Sequence, residues 1–317
     1  MSLDNRTLVS KASIDSSALG SGGAMNTEQQ RQFMTFMKDY SVFFKRTDVI
    51  NMSSTTRYLD SLSVNKRALR AQVEDDDNPA SGTADHKRRK LTAEGVIMPY
   101  NVTFQYMKEN IEGRNVNTTL AKLFSQQFVN DSLDLAINGD TDSNDNFLSI
   151  NDGWVKLAKK DTLTHKFDTE GSEDFLGKVF DGLLTAMPSK YFQLFQEEDK
   201  NLLTIFCSHQ VNRKYKQQLQ QRNTALGDSM IIDGRHVTYD GHEIFPLGFL
   251  PDNIIFLAPF ENLAYGVFGQ SLHSYHQVVP RKTRHEFTLL ADFDMEIVNP
   301  DAFVIADNFT VDTTPTP

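Results

Sequence analysis

The chain has 317 residues, 39% of them hydrophobic and 23% charged, with a net charge of -10 at pH 7 and a pI near 5.3. An acidic balance of this size disfavours non-specific binding to nucleic acid or an anionic membrane surface, and no apolar run approaches the length of a membrane span. The one cysteine, Cys207, excludes an intramolecular disulfide framework and fits folding in a reducing cytoplasm, and the N-terminus lacks the charged-then-apolar layout of a signal peptide.

Met1 to Ala24 is rich in Ser, Gly and small polar residues without periodicity and reads as an extended arm. Asn26 or Thr27 then caps a helix carrying Phe33, Met34, Phe36 and Met37. Loose alternation over Thr47 to Val64 (Val49, Met52, Tyr58, Leu62), and again over Val96 to Met107 (Val96, Met98, Val102, Phe104, Tyr106), predicts the two legs of a long β-excursion. Its polar middle carries Glu74, Asp75, Asp76 and Asp77, then Asp85, then the basic run Lys87, Arg88, Arg89 and Lys90. An excursion of this length with no core of its own is rare in a compact domain unless it acts outside that domain.

Asn117 and Thr118 are N-cap residues for a helix to Ile137, roughly 30 Å long at ~1.5 Å per residue. Asn138-Gly139 supplies the left-handed residue expected to end it. Leu120, Leu123, Phe124 and Phe128 form one stripe on this helix, and Val129, Leu133, Ala136 and Ile137 form a second on roughly the opposite face. A helix that changes its buried face halfway is expected to be a strut, lying on one layer at its start and another at its end. A polar turn, Asp140 to Asn146, follows. Ser172 then caps a helix with Phe175, Leu176, Val179, Phe180, Leu183, Leu184 and Met187 at helical spacing, ended by Pro188. Leu202 to Cys207 reads as a buried strand, and Gln210 to Arg222 as a helix with a thin stripe of Val211, Tyr215 and Leu219. Asp233-Gly234 and Asp240-Gly241 mark the tight turns of a small meander over Ser229 to Pro246. Further strands are expected over Ile254–Leu257, Leu263–Phe268, Leu272–Val279, Glu286–Val298 and Phe303–Ala306, before a Thr/Pro tail from Asn308. Helices and antiparallel strands fall in blocks, so the fold class is α+β.

No catalytic or metal-binding constellation emerges from the pattern. His273 and His276 are three apart in a predicted strand and therefore on opposite faces. His236 and His242 flank a turn without a further ligand at metal spacing, and these histidines read as ordinary surface residues. Cys207 and His209 share a strand face, as a thiol and its base would, yet a cysteine inside Leu-Thr-Ile-Phe-Cys reads as inert core. Gly20-Ser21-Gly22-Gly23 has neither the preceding strand nor the following Lys-Ser/Thr of a phosphate cradle. Asp292, Asp294 and Glu296 alternate on one strand face but lack the loop geometry of a calcium site. The charge blocks Asp75, Asp76, Asp77 and Lys87, Arg88, Arg89, Lys90 remain, as a solvated loop tip or as a charged contact to a neighbouring subunit.

Five segments stand in a telling order. Ser132-Leu133-Asp134-Leu135-Ala136-Ile137-Asn138-Gly139 ends the long helix and is followed by Gly153-Trp154-Val155-Lys156-Leu157. Then come Leu250-Pro251-Asp252-Asn253-Ile254-Ile255, Glu261-Asn262-Leu263-Ala264-Tyr265 and Met295-Glu296-Ile297-Val298-Asn299-Pro300-Asp301-Ala302-Phe303. In this spacing, over about Met25 to Asp307, the chain resembles a major capsid protein of a tailed bacteriophage with the HK-ninety-seven-type fold, within the group of temperate contractile-tailed phages.

The resemblance implies an N-terminal arm and first helix over residues 1–40 and an extended β-loop with a charged tip over 41–110 that overlaps an adjacent subunit. It implies a peripheral domain with the spine helix over 111–201 and 281–307, an axial domain over 202–280 that meets its copies around five-fold and six-fold axes, and a flexible tail over 308–317. The implied protein is not an enzyme and takes no cofactor. It self-assembles as hexamers and pentamers into an icosahedral shell enclosing double-stranded phage DNA. Scaffold protein, portal and a decoration protein are its implied partners, with no membrane. It would be folded and assembled in the host bacterial cytoplasm and reside in the virion. The acidity agrees, because a shell that must release its DNA should not bind it tightly. Little chain precedes the first helix, so a built-in scaffold segment of the usual length is not expected. Cross-linking between subunits is not expected either, since no catalytic carboxylate with Lys and Asn partners is identified. The competing readings are an encapsulin-type compartment shell, a soluble α+β enzyme with a charged lid loop, and a minor tail or head-completion protein.

Overall fold

Strands in this chain are of two chemical kinds, and each kind builds its own sheet. Strands that are apolar throughout must be covered on both faces, whereas alternating strands need cover on one. The structure, a computed structural model, describes residues 23–24, 35–63, 85–109, 116–168, 176–197, 200–220 and 237–307. In chain order these form β1 (Gly23–Ala24), α1 (Val42–Arg46), β2 (Asp48–Met52), β3 (Thr56–Ser63), β4 (Asp85–Thr92), β5 (Glu94–Thr103), α2 (Phe104–Glu109) and α3 (Val116–Asn138). There follow α4 (Trp154–Lys160), β6 (His165–Asp168), α5 (Leu176–Ala186), α6 (Ser189–Leu194), β7 (Gln196–Glu197), β8 (Lys200–Asn201), β9 (Leu203–Ser208) and α7 (His209–Gln220). The remainder is β10 (Thr238–Tyr239), β11 (His242–Leu247), β12 (Ile255–Pro259), β13 (Leu263–Val279), β14 (Arg284–Ile297) and β15 (Val304–Asp307).

The alternating kind makes the first sheet, ordered β1-β13-β14-β5, with β2 parallel beside β13. Along β14, Phe287, Ala291, Phe293, Met295 and Ile297 are buried while the residues between them are half-buried. The two strands expected over Leu263–Phe268 and Leu272–Val279 are a single strand of 17 residues. Its register breaks between Phe268 and His273. Ser271 closes this bulge, its hydroxyl donating to Phe268 O at 2.8 Å and accepting the Asp292 N–H at 2.7 Å.

The apolar kind makes the second sheet, ordered β10-β11-β9-β12-β15-β6. Every residue of β9 is buried. Leu203, Ile205 and Cys207 face one core with Ile255, Leu257 and the helical residues Val179, Phe180, Leu183 and Val211. Phe206 faces the other core, with Phe256, Ile305 and the first sheet. Ser208 caps α7, its Oγ accepting the Val211 N–H at 3.1 Å. His209 is therefore the exposed first residue of α7 and shares no strand face with Cys207. Of the expected meander, only the β10–β11 hairpin lies in the described residues. Its Asp240 and Gly241 take φ of 49° and 77°, as a two-residue hairpin turn requires. β11 then pairs in parallel with β9, so the segment is no plain meander.

The long helix α3 does serve two layers. Phe124 stacks on Tyr100 of β5 at 3.7 Å, and Phe128 meets Phe293 edge-on at 6.3 Å. Further along, Val129, Leu135, Ala136 and Ile137 are buried in the central core with Trp154. Leu123 is 54% exposed and leaves the first stripe. Gly139 ends the helix in a way the sequence did not reveal. Among the described glycines only Gly241 has positive φ. What Gly139 supplies is space: a Cβ there would stand 2.4 Å from Asn151 O and 2.6 Å from Leu135 O. Gly153 is equally tight, 2.7 Å from Gly139 N, and its own N–H bonds Gly139 O at 2.9 Å. Two glycines thus let the returning chain touch the helix end and insert Trp154.

These cores do not follow the expected division into 202–280 against 111–201 and 281–307. β13 runs with β14 and β5, whereas β6, α5 and β15 complete the second sheet and its helical cover. The first-helix residues Phe33 and Met34, the Ser172 cap and the tail from Asn308 lie outside the described residues.

The glycine contact yields a direct test. Gly139→Ala and Gly153→Ala each force backbone apart and should cost about 1–3 kcal/mol. Gly248→Ala, with nothing within 4 Å of the added carbon, should leave thermal unfolding unchanged.

Candidate assembly surface

The basic run does not form a loop tip. Lys87, Arg88, Arg89 and Lys90 sit within β4, paired antiparallel with β3 from Thr56↔Thr92 to Ser63↔Asp85. Strand alternation therefore splits the block in two. Arg88 and Lys90 are exposed, on the same face as Tyr58 and Asp60; Lys87 and Arg89 are half-buried, on the face of Leu59 and Leu91. Asp75, Asp76 and Asp77 lie outside the described residues.

On the outer face, Arg88 Nε donates to Asp60 Oδ1 at 2.8 Å, and His86 Nε2 lies 3.2 Å from the same oxygen. The Arg88 bond, with His86 adding to it, holds the Asp60 carboxyl below the usual carboxylate range. Arg88 also lies over the ring of Tyr58 at 5.2 Å. Tyr58 remains 53% exposed, so this face offers an aromatic ring and two cations outward.

The inner face has the small core that the sequence concealed. Leu91 is fully buried with Ile50, Met52 and Ala264, and Leu59, Ala93, Phe268 and Val298 pack around them. Gly266 makes the approach possible: a Cβ there would meet Met52 Sδ at 2.7 Å and Leu91 Cδ1 at 3.0 Å. Arg89 reaches past this core to an ion pair with Asp161, at the end of α4. No local signal marks Asp161, which is 72 positions away.

The hairpin root rests on the carboxylate row of β14. Thr92 N–H donates to Asp294 Oδ2 at 2.6 Å. Burial pushes Asp294 up to about 6 and Glu296 up to about 7. Among the described residues no group of three His, Cys, Asp or Glu is arranged to hold a metal ion.

Other residues weighed from sequence lie elsewhere. His242 is buried rather than superficial, with Nδ1 3.1 Å from Leu203 O. His276 Nε2 meets His285 Nδ1 at 2.8 Å, and burial followed by His285 keeps the His276 pKa below its usual value. His285 carried no signal in the sequence. Cys207 is buried and burial pushes its thiol up to about 12, so it is not a thiolate near neutrality. Asp301 gathers Lys190, Tyr191 and His165; burial would raise its pKa, but these bonds outweigh it and hold it down to about 2.

No family model matches the chain. YqbE, named as a prophage capsid protein of Bacillus subtilis (strain 168), is 28% identical over 239 residues, which is 73% of this chain and 71% of that protein. The satellite phage P4 procapsid, solved with its size determination (Sid) protein, superposes with a TM-score of 0.69 at 13% identity over 98% of each chain. The SrpI encapsulin of Synechococcus elongatus PCC 7942 superposes at 0.55 and 10% identity, over 86% of this chain and 89% of that one. Two sheets, a spine helix and a hairpin set on the sheet in this arrangement are the HK-ninety-seven-type fold of shell-forming proteins. The sequence relative is a phage-type shell protein, so the likeness in both sequence and fold is to phage major capsid proteins.

The two arginines should differ when replaced. Arg89→Ala strips Asp161, only 16% exposed, of its cation and should cost about 1–3 kcal/mol. Arg88→Ala should leave the thermal midpoint unchanged, because its partner Asp60 is solvated. Equal effects in thermal unfolding would mean that the hairpin is not seated through Arg89.

Proposed function

We propose that the chain self-assembles as hexamers and pentamers into an icosahedral shell enclosing double-stranded phage DNA. The β3–β4 hairpin is the observation that carries this reading. A two-stranded ribbon is marginal alone. Here it is tied down at its root by Leu91 and Arg89, while Tyr58, Arg88 and Lys90 face outward without cover. An adjacent subunit is the surface that would cover them.

In this reading the second sheet with α5 and α7 is the axial unit around five-fold and six-fold axes. The first sheet and α3 are the peripheral unit, and the residues up to 40 are the arm. Scaffold protein, portal and a decoration protein are the partners, assembly takes place in the host bacterial cytoplasm, and the subunit itself performs no turnover. The net charge of -10 keeps contact with packaged DNA weak. An encapsulin-type compartment shares the fold and differs in contents. Electron microscopy of particles from the full chain expressed with its neighbouring genes tests the proposal: closed shells containing DNA are expected, and shells containing only protein cargo would favour the compartment.

Charge reversal on the outer face tests the contact itself. Arg88→Glu with Lys90→Glu should leave the subunit folded but lower particle yield, most strongly at low salt where repulsion is least screened. Single exposed pairs contribute only ~0–1 kcal/mol, yet a closed shell repeats them at every subunit. Reversing Asp75, Asp76 and Asp77 to Lys in the same chain should restore part of the yield if the two blocks meet. Unchanged sedimentation of the double variant at low salt would rule out the charged contact.

A further inference from the structure

Three carboxylates on one strand face would ordinarily point to solvent, but Asp294 and Glu296 are roofed by the root of the hairpin. Asp294 receives the Thr92 N–H from β4 at 2.6 Å and the Met295 N–H at 2.9 Å. Glu296 receives the Ile297 N–H at 3.0 Å. The charged groups facing the pair are unbalanced. β4 contributes Arg89, already engaged with Asp161. β5 contributes Glu94, and the flanks of α4 contribute Asp152 and Asp161. β14 itself adds Asp292; Lys156 of α4 is spent on Asp140, Asp142 and Asp152. On β13 the positions opposite the row are Ala264, Gly266 and Phe268, without charge, and on β2 only Asp48 lies in register with Ala264. Among the described residues one shared cation thus serves a crowd of acids beneath a seam closed by Leu91 and Met52 over Gly266.

We propose that Asp294 and Glu296 form a proton-operated latch for the β3–β4 hairpin: protonated, they seat its root on β14, and deprotonated, they release it. Ionising either carboxyl places a charge in a partly dehydrated seam facing Glu94, Asp152 and Asp161. Lifting β4 admits water, which solvates the two carboxylates and screens them from those acids, although it also withdraws Arg89. From the hairpin, the Thr92 N–H on Asp294 and Arg89 near Glu296 favour the ionised form and work against release, but burial outweighs them. Both carboxyls hold their protons more tightly with the root seated than they would in water. The seated state is therefore favoured in full below about pH 4. It loses that advantage as the pH rises through about 6 and about 7. The hairpin's angle would then change with proton concentration while the two sheets beneath stay as they are.

Amide hydrogen exchange on the full chain between pH 5.5 and 8, corrected for intrinsic exchange rates, tests the latch. It reads single subunits and stands whether or not they close into shells. Protection of residues 86–93 should fall at least tenfold over this range, since each tenfold difference in proton affinity becomes a tenfold change in the seated ratio. Protection of 203–208, in the doubly covered β9, should hold steady. In Asp294→Asn with Glu296→Gln, the 86–93 segment should keep at pH 8 the protection it has at pH 5.5. If that variant does not fold, Glu296→Gln alone should at least halve the fall. Protection that is independent of pH in the natural chain, or an undiminished fall in the variants, would overturn the proposal.

Discussion

The subunit depends on one buried aromatic cluster. Phe43, in a helix of only five residues, meets Trp154, Phe206, Phe245 and Phe260 with ring centroids 5.6 to 6.3 Å away. Trp154 comes from α4, the two middle rings come from the second sheet, and Phe260 precedes β13, so a single side chain joins all three layers. Its neighbour Phe44 continues the contact into the first sheet, through Tyr265 at 4.9 Å and from there to Phe293 at 5.3 Å. Arg46, one turn on, closes the rim by lying 3.9 Å from the Phe260 ring and bonding Glu243 at 2.7 and 2.9 Å. Aromatic pairs of this kind add about 0.5–1.5 kcal/mol each beyond their buried area. A short helix is marginal alone, and here tertiary packing sustains it.

That cluster also gives the hairpin a rigid origin. β2 leaves α1 after a single residue and runs beside β13, so the ribbon β3–β4 departs from the most constrained part of the molecule. In the proposed shell, such a ribbon must reach a neighbour without being lost to solvent. Leu91 over Gly266 fixes where the ribbon crosses the sheet, and Arg89 fixes its rotation against α4. The outer face is left to its polar groups, where ion pairs contribute little stability and more to specificity of contact.

Polar clusters elsewhere set local geometry. Lys156 bridges Asp140, Asp142 and Asp152 at 2.6, 2.7 and 2.9 Å, folding the polar turn back over α4. Asp301 ties α6 to β6 where the chain enters β15. Each gathers several polar groups around one ion, an arrangement that orders a loop more than it stabilises the fold.

What the sequence alone determined are the features written in residues a few positions apart. The continuous apolar run of β9, the alternation along β14, the helical spacing of α5 and the double face of α3 all follow from local period. The order of segments was enough to recognise the phage capsid fold. The tertiary structure decided whatever depends on contacts between distant segments. β4, with the sequence Asp-His-Lys-Arg-Arg-Lys-Leu-Thr, has no apolar alternation, so only its pairing with β3 reveals a strand and sends Lys87 and Arg89 inward. The membership of β13 in the first sheet, the burial of His242, the tight approach at Gly139 and the roof over Asp294 and Glu296 have the same origin. Each depends on which surface lies opposite, and a residue's own neighbours in the chain carry no record of that.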